Sequence, residues 1–123
     1  MFLLGTLSVV VFSASPDANS PTDAQSVGKM RNAADTFFTS GQYEQALDMW
    51  AKVIALEPQN DSNYYKRFRV FLRQQKLKEA FADLNAALKF NPKNEGALVQ
   101  RAKLALKLGK CEEAEQDFVT LKK

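Results

Sequence analysis

A 34-residue period constrains this chain more than any other feature. Residues 27–60 align with residues 61–94 without a gap, and residues 95–123 continue the register but stop five residues short. A recurrence of this length marks stacked supersecondary units. Position 20 of each unit is alanine (Ala46, Ala80 and Ala114), the size required where two helices cross closely. Position 24 (Trp50, Leu84, Phe118) and position 27 (Val53, Ala87, Leu121) are apolar. At helical spacing, positions 20, 24 and 27 share one face. Pro58 and Pro92 at position 32 stop the helix that carries that face. Gly41 and Gly109 at position 15 supply a turn before it, and Asn60 or Asp61 is placed to cap the helix that opens the next unit. Each unit therefore reads as helix, turn, helix.

Period and pattern together resemble the tetratricopeptide repeat. The resemblance implies an all-α fold, a right-handed superhelical solenoid of helix–turn–helix units: 27–60, 61–94 and an incomplete 95–123 without a capping helix. Solenoids cover their last apolar face with such a cap. Two positions depart from the pattern. Phe68 stands at position 8, where the other units have Ala34 and Ala102, so the middle unit is expected to splay or adjust. Gln75 stands at position 15, which costs about 1 kcal/mol if the turn keeps a positive φ. Cys111 at position 17 is expected to be a small buried hydrophobe.

Composition narrows the chemistry. With no histidine, His-based acid–base catalysis, Ser-His or Cys-His pairs and His metal sites are excluded. A single cysteine permits neither an internal disulfide nor a thiolate zinc cluster. The carboxylates Glu112, Glu113 and Glu115 read as helical surface charge. The expectation is a protein that is not an enzyme and needs no cofactor or metal. Phe2 to Phe12 is an uncharged run of eleven residues, short of the roughly 20 needed to span a bilayer and right for a signal-peptide core. Residues 1–15 are expected to be a removed signal peptide, leaving no stable membrane insertion, and 16–26 a disordered spacer.

In tetratricopeptide-repeat proteins, which the chain resembles, the first helices line a concave groove through positions 2, 5, 6, 9, 12 and 13. Transferred residue by residue, this gives an apolar track of Phe38, Tyr65, Leu72, Val99 and Leu106. Arg31, Lys66, Arg69, Arg73 and Lys103 border it, with Asp35 among them. Net charge is +3 overall but +5 within residues 61–94. Such a track suits an extended apolar segment, whose burial supplies about 25 cal/mol per Å² while the cations favour acidic flanks. Stacking of bases on Tyr65 and Phe68 is a weaker reading: no nucleic-acid module signature is present, and Phe68 belongs inside.

The wording of residues 61–123 resembles the family of DnaJ homolog subfamily C member 3, an endoplasmic-reticulum co-chaperone. Tyr64, Tyr65, Arg67, Val70-Phe71-Leu72 and Asp83-Leu84 carry the likeness, with Gln100-Arg101, Gly109-Lys110, Glu113-Ala114-Glu115 and Asp117-Phe118. The resemblance implies residence in the endoplasmic-reticulum lumen, binding of unfolded or partly folded clients, and cooperation with the lumenal Hsp70. That cooperation is indirect for this sequence, because the J domain's His-Pro-Asp motif needs a histidine. A cytosolic adaptor gripping Hsp70 or Hsp90 tails is the alternative. Proteins of that class carry a carboxylate clamp at positions that here are Arg31, Asp35, Lys66, Gly96 and Gln100, and Asp35 would repel a carboxylate. Asn60-Asp61-Ser62 is a candidate N-glycosylation sequon at Asn60.

Overall fold

The structure, a computed structural model, describes residues 21–122. These residues form six α-helices: α1 (Pro21–Thr39), α2 (Tyr43–Leu56), α3 (Asp61–Arg73), α4 (Leu77–Phe90), α5 (Glu95–Lys107) and α6 (Cys111–Lys122). The signal-peptide assignment for 1–15 lies outside the described residues. So do residues 16–20 of the spacer; its remainder, residues 21–26, needs correction, because α1 starts at Pro21. Proline is well placed there: at the first position of a helix its missing N–H breaks no bond and its φ is already helical.

Local chemistry sets the helix boundaries. Gly41 and Gly109 turn between helices at φ +78° and +79°, and Gln75 takes the same left-handed conformation at +63°. The turn at Gln75 therefore keeps a positive φ. Asn60 caps α3 by accepting from the Ser62 N–H at 3.1 Å, and Asn94 caps α5 by accepting from the Ala97 N–H at 3.0 Å. Both satisfy a donor that the first helical turn leaves unpaired.

Helices pair as α1–α2, α3–α4 and α5–α6, with α2 packing on α3 and α4 on α5. Ala46, Ala80 and Ala114 are buried at the crossings. Helix α3 serves two cores at once. Val70 packs with Val27, Ala34, Trp50 and Val53 of the first unit, while Phe68 packs with Leu84, Leu98 and Ala102 of the second and third. Each unit thus completes its neighbour's core, which is how a solenoid holds together.

Phe68 does not splay its unit. It is 2% exposed in a cluster rich in alanines (Ala80, Ala87, Ala97, Ala102), whose small side chains leave room for the ring. The expectation for Cys111 also fails: its side chain is exposed. Position 17 is half-buried as Tyr43 and Leu77, which pack on the cores, whereas Cys111 opens α6, beyond which the described residues place no helix. Among the described residues no helix is long and apolar enough to cross a membrane.

Candidate functional site

Residues of the first helices α1, α3 and α5 meet at one pocket. Phe38 of α1 sits beneath two guanidiniums of α3, with Arg69 at 5.0 Å and Arg73 at 5.4 Å from its ring centroid. Phe38, Tyr65, Leu72, Arg69 and Arg73, with Gln100 of α5, line a pocket of about 220 Å³. Phe68 forms its floor, its ring centroid 5.5 Å from that of Tyr65. The three apolar residues are half-buried and the two arginines exposed. Val99, Lys103 and Leu106 lie on α5 outside this pocket: Val99 is half-buried, Lys103 exposed and Leu106 51% exposed.

Arg31, Asp35 and Lys66 stand apart. They line a separate hollow of about 450 Å³ with Asn32, Asn60, Ser62 and Asn63. Here the charges are already matched. Arg31 pairs with Glu57, and Lys66 lies 3.8 Å from Asp35. Glu57 is a hub whose Oε1 also accepts from Asn60 Nδ2 at 3.2 Å and Asn63 Nδ2 at 3.1 Å. The hydrogen bond from buried Asn63, followed by partial burial working the other way and the bond from Arg31, leaves the Glu57 carboxyl below its usual range. Asn60 therefore has two structural tasks, capping α3 with its oxygen and bonding Glu57 with the nitrogen that would carry a glycan.

The face accordingly has two compartments: a polar half closed by internal ion pairs, and an apolar half whose cations are open to solvent. Local spacing puts Phe38, Tyr65 and Leu72 on first helices whose residues meet in this pocket. It gives no sign that Arg31 and Lys66 are engaged, since their partners lie 26 and 31 residues away.

Two further pairs hold the first helices in place. Arg67 donates to both carboxylate oxygens of Asp83 at 2.9 and 2.8 Å, and Arg101 does the same to Asp117 at 2.8 and 2.6 Å. Both pairs join positions 7 and 23 of a unit, a recurrence of opposite charges that the sequence displays once it is aligned. Asp83 and Asp117 are buried. Burial pushes the Asp83 carboxyl above its usual range, against the pull of the two bonds from Arg67.

A wider hollow, about 800 Å³, lies on α6, where Phe118 and Val119 are 42% and 54% exposed. It marks the face on which no described element packs.

Comparison with known proteins agrees with this architecture. Human DnaJ homolog subfamily C member 3 is 38% identical over 79 residues, covering 64% of this chain and 16% of that protein. The human mitochondrial import receptor subunit TOM70 is 34% identical over 110 residues, covering 85% of this chain and 18% of that protein. This chain thus spans less than a fifth of either relative. Among solved structures, the second TPR of Spaghetti (RPAP3), bound to the HSP90 peptide SRMEEVD, superposes with a TM-score of 0.72. It shares 29% identity over 80% of this chain and 92% of its own. The family model described as anaphase-promoting complex, cyclosome, subunit 3 (ANAPC3) matches residues 39–119. The chain is a tetratricopeptide-repeat protein and belongs to the ANAPC3 family.

Proposed function

We propose that this chain binds extended, partly unfolded polypeptides on its first-helix face, without acting on them chemically, as the client-binding part of an endoplasmic-reticulum co-chaperone of the Hsp70 system. The pocket of Phe38, Tyr65 and Leu72 carries this reading. Three apolar side chains from two units meet at a surface, where burying a partner's side chain gains about 25 cal/mol per Å². At about 220 Å³ the pocket is smaller than the roughly 300–1,000 Å³ of small-molecule sites, and it suits single side chains of a chain laid across it. The likeness to DnaJ homolog subfamily C member 3 supports the assignment to a lumenal co-chaperone.

Tyr65→Ala with Leu72→Ala is expected to weaken capture of a reduced, unfolded polypeptide while far-UV circular dichroism stays unchanged. Undiminished capture by the folded variant would remove the pocket from the account.

A second reading, an adaptor for Hsp70 or Hsp90 tails, draws support from the likeness to the Spaghetti domain. The clamp positions weigh against it, because Arg31 is engaged by Glu57 and Asp35 stands beside Lys66. A tail peptide with a free C-terminal carboxylate is expected to bind no better than its amidated form, and a clear preference for the free acid would favour the adaptor.

A further inference from the structure

We infer that the preferred occupant of the first-helix face is an acidic polypeptide segment, with carboxylates flanking an apolar residue, held at the C-terminal ends of α3 and α5. This inference rests on the groove reading and goes beyond it by assigning the ligand's carboxylates to four named cations and to one half of the face.

The distribution of paired and unpaired cations carries it. Arg31, Lys66, Arg67, Lys76, Arg101 and Lys110 each have a carboxylate partner. Of the cations on α3 and α5, Arg69, Arg73, Lys103 and Lys107 have none within salt-bridge distance among the described residues, and all four are exposed. They fall one helical turn apart on each of two neighbouring first helices. Arg73 and Lys107 stand in the last turns of α3 and α5, where a cation complements the helix dipole. Arg69 and Lys103 lie a turn earlier, and the dipole effect fades beyond the last turn.

Geometry concentrates the charge further. The guanidiniums of Arg69 and Arg73 both lie within 5.4 Å of the Phe38 centroid, so the ring's face gathers two like charges beside the apolar pocket. Their mutual repulsion is relieved by an anion beside the pocket rather than within it. A segment whose apolar side chain enters between Phe38, Tyr65 and Leu72 brings its neighbouring carboxylates to these cations. The polar half of the face offers no such site, because its cations are already neutralised by Glu57 and Asp35. Exposed charge contacts of this kind steer association and select partners more than they add affinity.

The test uses the full chain and three short, C-amidated fluorescent peptides that differ only at residues flanking leucine and phenylalanine: Glu, Gln or Lys. Binding is followed by fluorescence anisotropy at low and high salt. The Glu peptide is expected to bind about tenfold more tightly than the Gln peptide at low salt, the product of a few exposed contacts each giving a factor of two or three. The Lys peptide is expected to bind most weakly, and the differences to shrink at high salt. Arg69→Gln with Arg73→Gln should reduce the Glu preference, as should Lys103→Gln with Lys107→Gln on the neighbouring helix. Lys52→Gln with Lys78→Gln, an equal change of charge on the second helices, should leave the preference intact. Equal binding of Glu and Gln peptides would overturn the charge selectivity while leaving an apolar groove standing. A preference that survives both groove variants would remove the cations from the account. Binding of none of the peptides would overturn the groove reading and this inference together.

Discussion

Loss of the Arg67 side chain is expected to be far more damaging than loss of the whole Arg67–Asp83 pair. Asp83 is 4% exposed, whereas the Arg67 side chain keeps 26% of its surface in water and also lies over the Phe71 ring at 5.7 Å. Arg67→Ala therefore strands a buried carboxylate. Breaking a buried pair in this way costs about 3–5 kcal/mol, and the partial exposure of Arg67 places the loss near the lower end. The first unit already contains the apolar solution, with half-buried Ala33 and Met49 at the same two positions. Grafting it as Arg67→Ala with Asp83→Met is expected to restore stability to within about 1 kcal/mol of the parent, as apolar replacement of buried pairs commonly does. Urea denaturation followed by circular dichroism at 222 nm measures both variants. The pH dependence supplies a further check. In Arg67→Ala the isolated carboxyl has a folded-state pKa above its unfolded value, so it favours the folded state at low pH and that contribution is lost as pH rises. The deficit of Arg67→Ala relative to parent should therefore shrink towards acid. A double variant as unstable as the single, or a deficit independent of pH, would refute the stranded-charge explanation.

Two other outcomes follow from local geometry. Gln75→Gly is expected to raise stability by about 1 kcal/mol, because glycine adopts the positive φ of this turn without the penalty borne by a Cβ; unchanged or lower stability in the same denaturation assay would count against strain at this turn. The lowered pKa of Glu57 contributes stability that is present above the ordinary carboxyl value of 4.5 and is lost as pH falls through the folded value. Glu57→Gln should accordingly be less stable than the parent at neutral pH and converge with it in acid, and parallel pH profiles would contradict the hub.

The repeat was legible because sterics leave few choices at its crossings and turns. Ala46, Ala80 and Ala114 are buried, and Gln75 shares the left-handed turn of Gly41 and Gly109. The buried fit of Phe68 is not legible from the crossing alanine alone, because the space it fills is made by alanines of α4 and α5. The exposure of Cys111 is not legible either, because repeat position alone does not say whether a further helix covers it. The start of α1 is not legible because residues 21–26, Pro-Thr-Asp-Ala-Gln-Ser, carry no apolar period. At the candidate site, the meeting of Phe38, Tyr65 and Leu72 followed from repeat positions: Phe38 and Leu72 hold position 12 of adjacent units, and Tyr65 lies two turns before Leu72 on α3. The split into a neutralised and an open half did not, because it depends on Glu57, a residue of the inter-unit connection that no first-helix pattern includes.

The most direct measurement is a chemical-shift titration of the isotopically labelled chain with a reduced, permanently unfolded polypeptide. The first-helix account predicts that perturbed resonances cluster at Phe38, Tyr65, Leu72 and Val99 and extend to Arg69 and Arg73. Perturbations confined to α6 around Phe118 and Val119, with the first helices unchanged, would contradict it.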